Sequence, residues 1–268
     1  RPSLSHLRPR RIWTWAAVFL FALLLMSGQA GLLRIAFATP RRMFSLAVGA
    51  ALVTVNWTAY LYAVDTGQLV QSALGYFLYP LMAIGLGVSV LGEKLSPRGW
   101  AALACAAAGV AIKASLLDGF PWVALIIGAS FAFYALVRKR LDIDPFVGMV
   151  AELLMIAPLA LVLITALTLA GNSGNPLTLS SFFLDGTAYG VMMALTSGVV
   201  TSVPLVLFHI GNRYLSLSVA GFLFYINPSL QLLLGLFVFA EPFTGVDMAA
   251  FTLIWLALAL HFVPVRTK

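Results

Sequence analysis

Residues 71–96 read QSALGYFLYPLMAIGLGVSVLGEKLS, and residues 219–244 read VAGFLFYINPSLQLLLGLFVFAEPFT. The two stretches align without a gap at an offset of 148, the difference between 228 and 80. Pro80 falls on Pro228, Gly87 on Gly235, Val90 on Val238, Glu93 on Glu241 and Ser96 on Thr244, while Tyr76-Phe77 falls on Phe224-Tyr225. Apolar segments resemble one another by chance. A proline, a glycine and a glutamate held in register rarely do, so the chain is read as an internal repeat. The copies differ in flanking charge: Lys94 and Arg98 follow Glu93, whereas the loop after Glu241 has no lysine or arginine and leads to Asp247. Basic loops mark the cytoplasmic side of a membrane. Equivalent segment ends are therefore expected to face opposite sides, which makes the repeat an inverted one.

Outward from these stretches the composition agrees. Of 268 residues, 62% are hydrophobic and 9% charged, with a mean hydropathy of +1.00, outside the range of soluble domains. A bilayer core of ~30 Å needs about 20 helical residues to cross. Spans of that order are read at 12–33, 44–64, 69–92, 99–115, 121–137, 145–169, 187–210, 217–240 and 247–264, nine in all. They are continuously apolar instead of alternating, which excludes a membrane β-barrel. The expected fold is an all-α integral membrane protein with two repeat halves, residues 1–116 and 117–268.

The formal net charge of +7 gathers in short loops, so it reports topology and not nucleic-acid binding. With a cytoplasmic C-terminus, one side holds Arg34, Arg41, Arg42, Lys94, Arg98, Arg138, Lys139, Arg140, Arg213, Arg266 and Lys268, and the other holds Lys113 alone. Nine spans would put the basic residues 1–11 on the wrong side. Applied to the span at 121–137, the repeat offset projects a further helix upstream of Arg1. The expectation is a five-plus-five protein of ten helices, of which nine are in this chain and the first is not.

The segments VNWTAYLYAV (55–64), SALGYFLYPL (72–81), LGEKL (91–95), GFLFYINPSLQ (221–231) and EPFT (241–244) resemble the RarD family of EamA-type permeases, in the drug/metabolite transporter superfamily. The resemblance runs from about residue 11 to residue 262. It implies a ten-helix inverted repeat in a bacterial inner membrane with both termini cytoplasmic, and the family's name associates it with chloramphenicol sensitivity.

Candidate site residues follow from what a membrane interior penalises. Pro80 and Pro228 lie midway along their spans, where proline removes a helical hydrogen bond and frees a carbonyl. Such carbonyls must face protein or a watery cavity, although packing kinks are common too. Asn227 and Gln231 are four apart on one helix face, with Tyr79 as the repeat counterpart of Asn227, and Asn56 and Tyr60 form another pair four apart. These amides either line a cavity or bond between helices. Thr196, Ser197, Thr201 and Ser202 could add hydroxyls, or bond their own helix. Trp57, Tyr76, Phe77, Tyr134, Phe224 and Tyr225 could stack a planar ligand or cover a cation, or simply pack. Glu93 and Glu241 sit at span ends and read as helix anchors. Glu152 lies about seven residues into its span, ~10 Å deep at ~1.5 Å per residue, where an ionisable group is a functional candidate.

Catalytic signals are thin: His6, His209 and His261 are isolated, Cys105 is the only cysteine, and no HExxH, Walker-type loop or nucleophile elbow occurs. No metal or cofactor is implied. An inverted repeat favours a secondary transporter, with its site near the midplane where the halves meet. The expected partners are a small amphipathic or zwitterionic metabolite or drug, the lipid bilayer, and protons as a candidate coupling ion, with export the favoured direction. A non-transporting scaffold or sensor is the alternative, and a membrane-embedded enzyme is the weaker third.

Overall fold

The computed structural model describes residues 31–115, 117, 119–169, 188–238 and 244–263. Its elements are α1 (Leu32–Ala36), α2 (Pro40–Asp65), α3 (Leu69–Leu91), α4 (Pro97–Ala114), α5 (Trp122–Arg140), α6 (Pro145–Leu169), α7 (Ala188–Tyr214), α8 (Leu217–Phe224), α9 (Ile226–Phe237) and α10 (Gly245–Phe262). No strand occurs among the described residues, and the protein is all-helical as expected. Among the described residues, five of the nine expected spans coincide with a segment long and apolar enough to cross a membrane: Pro40–Asp65, Leu69–Leu91, Trp122–Arg140, Leu217–Leu234 and Gly245–Phe262. The expected span at 12–33 lies outside the described residues except for its last three, and Glu241 lies outside them as well.

Helix starts are set by local chemistry. Ser96 accepts a hydrogen bond from the Gly99 amide at 3.1 Å, with Pro97 in the first helical position of α4. Thr244 and Asp247 form a reciprocal capping box on α10. Ser216 caps α8 by accepting from Val219 N at 3.2 Å. Gly92 ends α3 in the left-handed region at φ 69°, where a side chain would be strained. Helices α2, α3 and α4 begin at 40, 69 and 97, and α7, α8 and α10 begin at 188, 217 and 245, each 148 residues later.

The chain forms two compact units, residues 1–50 with 141–211, and residues 51–140 with 212–268. In the first, α1 packs on α6 around Ala36, Leu46, Val147, Met149, Val150 and Ala151. In the second, α3 packs against both α5 and α8, and α4 pairs with α10. The core of this unit includes Phe77, Ile84, Ala102, Ala106, Phe222, Tyr225, Phe251, Ile254 and Ala257.

Lipid is as apolar as leucine, so helices in a membrane gain by close approach instead of by leaving water. The second unit is built that way. A Cβ on Gly109 would lie 2.8 Å from the Ala250 carbonyl, and one on Gly75 would lie 2.8 Å from the Ile127 side chain. Lys113 near the end of α4 forms an ion pair with Asp247 in the first turn of α10, so these two helices run antiparallel. Helices α3 and α8 are antiparallel too, since Glu93 just beyond α3 reaches Leu217 at the start of α8.

Candidate functional site

Tight helix crossings gather the aromatic residues of the second unit. On one side of α3, a Cβ on Gly128 of α5 would lie 3.0 Å from the Leu78 side chain and 3.1 Å from the Gly75 carbonyl. On the other side, a Cβ on Gly221 of α8 would lie 3.0 Å from Ile84 and 3.1 Å from the Pro80 carbonyl. At both crossings a side chain would be tighter than an ordinary contact. With α5 and α8 this close, the Tyr79 ring meets Phe131 at 4.8 Å and Phe224 at 4.5 Å between centroids. Phe131 and Phe224 are 5.9 Å apart, and Tyr134 extends the group at 6.2 Å from Phe131. Edge and tilted contacts of this kind add to packing beyond the apolar area they bury. Tyr79 and Tyr134 are 0% and 1% exposed, so two hydroxyls sit in an aromatic surround.

The two prolines behave differently. Both are buried, but α3 continues through Pro80, whereas the chain around Pro228 is divided into α8 and α9 at Tyr225. Tyr225 N donates back to Phe222 O at 3.1 Å, a tightened turn three residues before a proline that cannot donate. Tyr225 also donates its hydroxyl to Phe77 O at 3.3 Å, tying the break to α3. Just beyond it, Ser229 Oγ donates to Tyr225 O at 2.9 Å and accepts from Trp255 Nε1 at 3.0 Å. Asn227 and Gln231 follow, with Gln231 Nε2 donating to Asn227 Oδ1 at 3.3 Å. Gln231 is exposed and Asn227 half-buried.

Residues 4–114 match the EamA-like transporter family. An uncharacterized transporter of Pseudomonas aeruginosa is 36% identical over 247 residues, 92% of this chain and 80% of the relative. The protein RarD of Escherichia coli is 33% identical over 249 residues, with coverage of 92% and 80%. The chain belongs to the RarD-type EamA permeases. It is accordingly a multi-pass membrane transporter of the drug/metabolite superfamily. A solved crystal structure at 18% identity superposes with a TM-score of 0.65 over 94% of this chain and 85% of that one, a likeness of fold.

In this RarD-type permease the remaining expected residues fall into separate places. Asn56 is 5% exposed and donates through Nδ2 to Ile127 O at 2.8 Å and Ser130 Oγ at 3.1 Å, which pins α2 to α5. Trp57, Tyr60 and Tyr76 form a chain of rings, 5.8 Å and then 6.4 Å between centroids. Glu152 is 2% exposed on α6, in the first unit, beside the core residues Val150 and Ala151. Thr196 is exposed on α7, while the side chains of Ser197, Thr201 and Ser202 fall outside the described residues. No group of histidine, cysteine, aspartate and glutamate among the described residues could hold a metal ion.

Sequence reading missed Phe131, which joins Tyr79 to Tyr134, and Ser130, which receives Asn56. Their spacing to Asn56, 74 residues for Ser130, leaves no local pattern. The signal available was the run SFAFY at 130–134, polar and aromatic inside an apolar span.

Proposed function

We propose that the chain is a secondary transporter in a bacterial inner membrane that exports a small amphipathic or zwitterionic metabolite or drug by alternating access. The observation that carries this reading is the antiparallel packing of register counterparts: α4 against α10, and α3 against α8. Helices duplicated in sequence and reversed in direction are how inverted-repeat transporters create two alternately open sides around one site. In this reading the first half spans 1–116 and the second 117–268, with the C-terminus cytoplasmic.

The proposed substrate site lies beside the buried aromatic group of Tyr79 and Tyr134, at the break at Tyr225 and Pro228, with the amides of Asn227 and Gln231 as its accessible polar groups. Trp57, Tyr60 and Tyr76 extend it, with Asn56 holding α2 in place and Pro80 lending its carbonyl to the α8 crossing. Rings hold the apolar or cationic part of a ligand, and amides orient its polar end. Glu152 supplies the coupling group in this reading, because an ionisable side chain at depth in a membrane helix marks an ion pathway by default.

Flux in reconstituted proteoliposomes tests the reading. Candidate amino acids, aromatic metabolites and chloramphenicol are first screened by thermal shift, because a ligand of the folded state raises its apparent stability. Binders are then assayed for movement driven by a proton gradient. Failure of every binder to move above protein-free vesicles would favour a scaffold or sensor.

A further inference from the structure

Three charged side chains converge on helix ends at the face that carries the basic loops. The Glu93 carboxylate accepts from Leu217 N at 2.6 Å and from Ser218 N at 2.8 Å, at the start of α8. Lys139, near the end of α5, donates to the Asn212 carbonyl at 3.0 Å and to the Leu215 carbonyl, where α7 finishes. Arg140, the last residue of α5, donates through Nη2 to Val90 O at 2.9 Å, in the last turn of α3. Each charge meets the helix end of opposite partial charge: the anion takes amides at an N-terminus, and the cations take carbonyls at C-termini.

Local capping does not require these bonds. Helix α8 already has its own cap in Ser216. Glu93 comes from 124 residues away and adds a connection between helices. The chain is shaped for it. Gly92 turns left-handed and Glu93 N bonds back to Gly87 O at 3.0 Å, folding the carboxylate towards α8. A Cβ on Gly87 would lie 2.5 Å from Glu93 Oε2 and 2.8 Å from Ser218 Oγ, so glycine there leaves room for the contact. Ser218 is 3% exposed beneath it, whereas Glu93 and Lys139 are half-buried and Arg140 is exposed, within reach of water that could replace each bond.

We propose that Glu93, Lys139 and Arg140 form a latch that holds the ends of α3, α5 and α7 and the start of α8 together, closing the basic-loop face, and that it opens when this face admits substrate. The bonds between the helix ends are the observation, while closure and opening of the face both rest on the alternating-access reading.

Thiol accessibility tests it without any substrate. Ser218→Cys in a Cys105→Ala background is alkylated by a hydrophilic maleimide in permeabilised membranes, where both faces are reachable. Slow labelling is expected, becoming at least about tenfold faster with Glu93→Gln or Lys139→Gln, since each removes a charge-assisted bond. Lys94→Gln, at an exposed neighbour of Glu93, should leave the rate unchanged. Arg140→Gln provides a third variant that acts through a different helix end, should either of the first two fail to fold. Labelling at the parent rate in every folded variant would overturn the latch, whatever the flux. Faster labelling in a protein that moves no ligand would keep the latch and remove the transporter reading.

Discussion

Tyr225 donates its hydroxyl to the main-chain oxygen of Phe77, the residue 148 positions earlier that is its own counterpart in the repeat register. The bond ties the middle of α3 to the turn between α8 and α9, where these two antiparallel segments cross. Tyr225→Phe keeps the ring and removes the bond. A loss of about 1 kcal/mol in unfolding free energy is expected, the ordinary net worth of a buried hydrogen bond. Chemical denaturation in detergent measures it, and wild-type stability would show that the crossing does not depend on the hydroxyl.

Asn56 should matter for folding more than for turnover. Its Nδ2 group donates to both Ile127 O and Ser130 Oγ, and the Ser130 hydroxyl donates in turn to Ile126 O at 2.6 Å. Asn56→Ala leaves Ser130 without its donor and opens a gap, for which about 1–3 kcal/mol of destabilisation is expected. Ser130→Ala should cost less, because the Ile127 bond survives. Thermal unfolding of the two variants gives the order, and the reverse order would contradict this account.

Close packing of α4 on α10 makes Gly109 intolerant of bulk. Its absent Cβ would already stand 2.8 Å from a backbone oxygen, an atom that cannot swing aside. Gly109→Leu is expected to cost roughly 1–3 kcal/mol or more and to loosen the Lys113–Asp247 pair. Gly211→Leu, where none of the described residues would come within 4 Å of a Cβ, serves as the control. Comparable melting temperatures for the two variants would refute the packing argument.

Glu152→Gln separates coupling from architecture. The amide keeps shape and hydrogen-bonding capacity but cannot exchange a proton. Flux in proteoliposomes should lose its dependence on pH while the protein stays folded. A variant with the wild-type rate and pH profile would return Glu152 to a purely structural role.

Much of the helical scaffold could be read in the residues before any coordinates. The apolar stretches at 44–64, 69–92, 121–137, 217–240 and 247–264 each coincide with a helix long and apolar enough to cross a membrane, because apolar length is a local property of the sequence. Register was legible because Pro80 and Pro228 stand at equal positions. What those prolines do was not: α3 passes Pro80 unbroken, held by glycine crossings from α5 and α8, while the chain divides at Tyr225 three residues before Pro228. Identical residues gave different backbones because their neighbours come from elsewhere in the sequence. The same limit hid Phe131 and the reach of Glu93 to α8, since pairing across many tens of residues has no periodicity to betray it.

Gly109 and Ile254 meet on one side of the contact between α4 and α10, where a Cβ on the glycine would be 3.2 Å from Ile254 Cγ1. Their counterparts in the register are Ala257 and Ala106, both fully buried. The first two residues differ greatly in size, while their register counterparts are both alanine. Two separate, identical subunits meeting about a two-fold axis could not do this, because every substitution would be copied at the mirrored place. Within a single chain that constraint is absent. Positions 148 residues apart are free to differ in volume, so the contact between α4 and α10 need not be filled in the same way at its two ends.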